Sequence, residues 1–192
     1  MAKYKNIVVG VLLLGTTAAC ERPAPPVSAR AADSQNITVY LQQQMQRLQA
    51  EKPMVLKSVK TENSPTETIE TSEVDWEDEL AVFQEVDLSR PALQDLYSEH
   101  REPHTDGSTS VSFRKVEEAE TPVQYLQLQL SPQNNIQQLE ALVLEKNLLF
   151  YSRRKVSLST DPESGDVSSY RIEGVQKLIF GDSLHYRIDA NL

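Results

Sequence analysis

Cysteine is almost missing from this sequence: its 192 residues contain one. A single thiol closes no internal disulfide and builds no cysteine-based zinc site. Basic charge is scarce too, with 19 Lys and Arg against 28 Asp and Glu and a formal net charge of −9. Neutralising phosphates requires a net basic face, so no nucleic-acid partner is expected. Aromatic residues make up 6% of the chain, with one tryptophan, while prolines number ten. The core is therefore expected to be modest and part of the chain irregular. No apolar run approaches the roughly 20 residues of a membrane-spanning helix. Phosphate loops, dinucleotide fingerprints and zinc-protease helices are absent, and no cofactor is implied. What is present is 39% hydrophobic content, enough for one ordinary domain.

The N-terminus carries the most specific signal. A basic head with Lys3 and Lys5 precedes the apolar stretch from Ile7 to Leu14, and small residues then lead to Cys20. That is the three-part layout of an export signal over residues 1–19. Thr17-Ala18-Ala19-Cys20 resembles the lipobox of bacterial lipoproteins, with Thr17 in place of the usual Leu. The resemblance implies that Cys20 becomes the first residue of the mature chain and carries acyl chains on its sulfur and amine. Two or more acyl chains give a stable membrane anchor. Glu21 is not the aspartate that retains many enterobacterial lipoproteins in the inner membrane, so the resemblance implies the outer membrane, with the domain in the periplasm. Residues 20–32 are expected to be a Pro-rich tether, in which Glu21-Arg22-Pro23-Ala24-Pro25-Pro26 reads as a stiff, extended spacer.

Residues 33–192 are expected to form one α+β domain, helical over 33–99 and an antiparallel sheet over 109–192. Ile37, Leu41, Met45 and Leu48 recur at helical spacing, with Asp33 or Ser34 as the cap and Pro53 as the stop. Residues 54–60 suit a short helix or a strand. Residues 61–73 hold almost nothing apolar and are expected to form a mobile acidic loop. A second helix begins at Asp75, with Glu77, Asp78 and Glu79 suiting the positive end of its dipole. Trp76, Leu80 and Phe83 share one face of it and form a candidate partner or ligand face. Ser89 and Pro91 open a third, short helix through Leu93 and Leu96.

Beyond residue 110 the period switches to two. Val111 and Phe113, then Leu126, Leu128 and Leu130 between glutamines, then segments near 139–144, 148–158, 170–172 and 184–188 predict five or six strands in an antiparallel meander. The helices are expected to lie on one face of that sheet. Charge is uneven along this plan: residues 61–121 hold 17 acidic and 4 basic residues, against 8 and 7 in 122–192. The acidic third is expected to be a solvated surface, with a docking surface for a basic partner or a cation as the alternative.

Three groups of residues invite a chemical reading. Phe180-Gly181-Asp182-Ser183-Leu184 spells the nucleophile block of the GDSL esterases and lipases. That block belongs near the N-terminus of its family, with an Asp-x-x-His pair downstream. Here eight residues follow Leu184, and no histidine lies beyond His185. His185 is expected to point away from the serine in an extended strand, so a hairpin turn is the expectation. His100, Glu102, His104 and Asp106 have ligand chemistry, but Pro103 breaks the helix that would align the histidines, and no metal site is expected. Arg153, Arg154 and Lys155 alternate faces in a strand and are expected to pair with acids on the helices.

Val74-Asp75-Trp76-Glu77-Asp78-Glu79-Leu80, Asp87-Leu88-Ser89-Arg90-Pro91-Ala92 and Tyr170-Arg171-Ile172-Glu173-Gly174-Val175-Gln176-Lys177 together resemble small lipoproteins of Bacteroidota. That resemblance implies localisation and chain architecture, and no activity. With no assembled catalytic set, the expected function is non-enzymatic: a membrane-anchored envelope lipoprotein acting as a binding or assembly module for an envelope protein. The alternative is a carrier of lipid or another apolar ligand in a cavity between sheet and helices.

Overall fold

The structure is a computed structural model that describes residues 36–62 and 64–192. The signal, Cys20 and the tether lie outside the described residues, as do Asp33 and Ser34. Helix α1 spans Ile37–Glu51 and is capped by Asn36, whose side-chain oxygen accepts the Val39 amide at 3.0 Å. It ends where Pro53 predicts, with Lys52 in the left-handed region at φ 46°. Helix α2 spans Trp76–Gln84; the Asp75 carboxylate accepts the Glu77 and Asp78 amides, as the sequence suggests.

The strands are β1 (Val55–Thr61), β2 (Glu67–Thr71), β3 (Tyr97–Pro103), β4 (Thr109–Lys115), β5 (Val123–Leu130), β6 (Ile136–Lys146), β7 (Phe150–Thr160), β8 (Val167–Leu178) and β9 (Ser183–Asn191). They form one antiparallel sheet in the order β2-β1-β9-β8-β7-β6-β5-β4-β3. The α+β class is as expected, but the sheet has nine strands, not five or six. The six strands read from period-two alternation are β4 to β9. The other three lie ahead of these: β1 settles the ambiguous residues, β2 lies inside the expected acidic loop, and β3 begins just after the expected third helix and runs on to Pro103. Both β2 and β3 are edge strands. With a partner on one side only, they need little apolar alternation to be held in place, which is why their sequences read as loop.

From β3 to β9 the chain is a simple meander, and the β1–β2 hairpin adds to its last strand. The chain must then travel from β2 at one edge to β3 at the other, roughly 40 Å at about 4.8 Å per strand. It does so across one face, through α2 and a 3₁₀ turn at Pro91–Leu96. That face is the core. Leu128, Leu139, Leu158 and Tyr170 are paired across β5, β6, β7 and β8 and are buried beneath the helices. Helix α1 adds Ile37, Leu41 and Leu48, and its Gln44 is buried between the Val167 amide, 3.0 Å, and the Asp166 carboxylate, 3.3 Å. Tyr40 donates to the Gly165 carbonyl at 3.1 Å, so α1 is sewn to the β7–β8 turn. Among the described residues the other face of the sheet carries no helix.

Candidate functional site

Trp76, Leu80 and Phe83, the expected partner face, point into the core with exposures of 2%, 0% and 0%. The Phe83 ring meets Tyr170 edge-on, centroids 6.0 Å apart and planes at 75°. Burying each such side chain is worth about 1.5–3 kcal/mol. This face is spent on holding α2 to the sheet and has no surface left for a partner.

The other candidate residues are turn and strand furniture. In the β3–β4 turn, His104 Nε2 lies 2.7 Å from the Ser110 hydroxyl, and the Asp106 carboxylate accepts the Ser108 amide and hydroxyl at 2.9 and 2.6 Å. Those hydroxyl and amide bonds hold the Asp106 carboxyl below its usual range. Among the described residues no three His, Cys, Asp or Glu side chains converge as metal ligands would. Ser183 opens β9 after a turn through Ile179 and Phe180, closed by the Gly181 amide donating to the Leu178 carbonyl at 3.1 Å. Two residues apart in one strand, Ser183 and His185 share a face rather than point apart, a correction to the expectation. No hydrogen bond joins them; His185 Nε2 faces Glu62 at 3.9 Å. Of the three consecutive cations, Arg154 pairs with Glu85 just after α2, as expected, while Lys155 pairs across the open face with Glu140 on β6 at 3.0 Å.

The open face holds what the sequence concealed. Register aligns Tyr125, Leu142, Lys155, Glu173, Arg187 and Lys60 in one row across β5, β6, β7, β8, β9 and β1. Next to it Leu144, Arg153, Val175 and His185 form a second row. Between them the face opens into a groove of about 500 Å³ with Leu142 and Val175 in its lining. Its rim mixes Lys60, Arg153, Lys155 and Arg187 with the carboxylates of Glu62 and Glu173. Arg187 is committed to Asp189 at 2.7 Å, and Arg171 binds the same carboxylate at 2.5 Å. Burial works to raise the Asp189 carboxyl, but those two guanidinium groups outweigh it and hold the carboxyl below its ordinary range. Lys60 and Arg153 form no ion pair among the described residues. Four cations against two carboxylates around one groove are a basic excess unexpected in a chain of net charge −9.

No protein-family model, no curated protein and no solved structure matches this chain. The reading of the site therefore rests on its own geometry. Sequence reasoning missed the groove because its residues come from five strands spread between positions 60 and 187, with no local spacing to betray them. The one available signal was Arg153 standing out of phase with Arg154, which the alternation of a strand sends to the opposite face. Among the described residues no helix is long and apolar enough to cross a membrane.

Proposed function

We propose that this protein is a non-enzymatic lipoprotein of the bacterial envelope, tethered by acylated Cys20, whose sheet acts as a binding module for an acidic envelope protein. The observation that carries the binding half is the groove with Lys60 and Arg153 free at its rim. Carboxylates on a partner would be drawn to the basic excess at this groove, and the apolar lining would reward a neighbouring aliphatic side chain. The lipobox at Thr17 to Cys20 supports the anchor. Leu126, Leu128 and Leu130, which would line a carrier's cavity, are packed beneath the helices with exposures of 1–4%, which favours the binding module over a carrier of an apolar ligand.

Two experiments test the halves separately. Metabolic labelling with an alkyne fatty acid should mark the wild-type protein and leave Cys20→Ala unmarked; equal labelling of both refutes the anchor. For the binding half, a photo-crosslinking residue at His185 should capture one defined envelope protein in cells, and the double reversal Lys60→Glu with Arg153→Glu should abolish that capture. Both cations lie on the open face, so the reversal should leave the fold intact. Capture unaffected by the reversal counts against the groove.

A further inference from the structure

Two adjacent hairpins end in bare hydrocarbon. The β6–β7 turn exposes Leu148 and Leu149, and the β8–β9 turn exposes Leu178, Ile179 and Phe180, with Leu184 beside them. Leu148 is 92% exposed and Phe180 96%. The hairpins are neighbours because β7 pairs with β8, and their ends are clasped by the Ile179 amide donating to the Leu149 carbonyl at 3.0 Å. Six large apolar side chains at one end of a sheet make a continuous projecting patch, which a soluble surface avoids unless something covers it.

The residues immediately behind the tips indicate what covers it. Lys146, Tyr151 and Lys177 stand directly opposite one another across β6, β7 and β8, so they share one face and form a row behind the apolar ends. A tyrosine between two lysines has the composition of a membrane interface, where an amphipathic ring and snorkelling ammonium groups sit at the phosphate level. Glu145 and Asp182 also lie near the tips, and both are exposed to solvent.

We infer that the paired hairpin tips insert into the boundary between headgroups and acyl chains of a bilayer containing anionic lipid, with Lys146 and Lys177 against the phosphates. The length of chain ahead of α1 allows it. Helix α1 is sewn to the opposite end of the sheet, and the 12-residue strand β8 sets that length at roughly 40 Å at about 3.4 Å per residue. Fifteen residues separate Cys20 from Asn36, and the sixteen Cα-to-Cα steps reach up to roughly 55 Å when extended. Anchor and tips can therefore meet one and the same membrane. The inference does not depend on acylation of Cys20.

The test uses the full chain with Cys20→Ala, so that Phe180→Cys supplies its only thiol for an environment-sensitive fluorophore. Added vesicles of phosphatidylcholine with phosphatidylglycerol should shift its emission to the blue and expose it to quenching by spin labels within the acyl region. The same label at Glu163→Cys, in the turn at the other end of the sheet, should stay aqueous. With the label moved to Leu149→Cys, replacing Leu148 and Phe180 by serine should reduce the inserted fraction at matched lipid by at least about tenfold. Lys146→Glu with Lys177→Glu should cost roughly tenfold on anionic vesicles and little on pure phosphatidylcholine. All four side chains are exposed, and circular dichroism melting verifies that the variants fold. A label at position 180 that stays aqueous overturns the inference, and so does one that is buried without vesicles in a concentration-dependent way, because the tips would then cover a second copy. Since Cys20 is absent throughout, failure here is separable from failure of the anchor.

Discussion

The hydroxyl of Tyr170 donates to the carboxylate of Glu79, pinning α2 to the middle of the sheet by a polar contact within the core. The other carboxylate oxygen of Glu79 takes the Lys57 ammonium at 2.7 Å. Burial, together with this anionic acceptor, raises the Tyr170 hydroxyl far above the ordinary range for tyrosine. Tyr170→Phe keeps the ring against Phe83 and removes only the hydrogen bond, so it should cost about 1–2 kcal/mol. Glu79→Ala leaves both partners unsatisfied and should cost more, about 2–4 kcal/mol. Denaturant melts of the two variants check the order.

Phe83→Ala separates an inward face from a binding face. A fully buried phenylalanine costs about 3–5 kcal/mol on truncation, whereas a residue waiting for a partner would cost almost nothing in the isolated protein. The expected outcome is a large loss of stability by urea unfolding with no new oligomer in solution.

Asp87 ties the start of α1 to the loop after α2. One carboxylate oxygen accepts the Thr38 amide at 3.1 Å and hydroxyl at 2.6 Å, and the other accepts the Ser89 amide at 2.8 Å. Burial alone would raise this carboxyl, but the bonds from Thr38 and Ser89 outweigh it and leave it below the ordinary aspartate range. A depressed folded-state value means that the stabilisation is complete above the unfolded value, near pH 3.9, and is lost as pH falls through the folded one. Asp87→Asn should therefore destabilise by about 1–2 kcal/mol between pH 5 and pH 8. The gap to wild type should close as the pH drops below about 4, which a pH series of thermal melts will show.

Gly174 has no room for a side chain. A Cβ there would lie 2.8 Å from the Tyr186 hydroxyl oxygen and 2.9 Å from the Arg153 carbonyl oxygen. Tyr186, directly opposite on β9, can swing aside; the Arg153 carbonyl belongs to the neighbouring strand and cannot. Gly174→Ala should cost about 1–3 kcal/mol. Adding Tyr186→Phe should recover only part of it, and a double-mutant cycle measures how much.

How much of this was legible in the sequence depended on whether a segment is held locally or by distant partners. The leucines of β5 alternate with glutamines because one face is buried and the other wet, and that alone reveals a strand. Asp75 before an apolar helical run similarly announced the start of α2. By contrast β2, Glu-Thr-Ile-Glu-Thr, is exposed along nearly all its length and exists as a strand only because β1 offers it hydrogen bonds. The β8–β9 turn was expected from the sequence, but the exposure of the tips was not, and Leu148 was read as strand, since a run such as Leu178-Ile179-Phe180 looks the same whether it fills a core or leaves one. Only the register, which puts Phe150 opposite Leu178, shows that both runs emerge at the same end.

The two edges of the sheet give the acidic third of the chain a purpose that composition did not suggest. β2 carries Glu67 and Glu70, β3 carries Glu99 and Glu102 and ends at Pro103, and both strands come from the segment with 17 acids and 4 bases. An unpaired edge is a template on which another molecule can add a strand, and a nine-stranded open sheet has two of them. β3 also carries Arg101, which pairs with Glu99, but both edges remain net acidic and so disfavour edge-to-edge stacking of copies, and a terminal proline withholds a donor. Even at high local concentration, as the proposed anchor would impose, the molecules should stay separate rather than zip into a continuous ribbon.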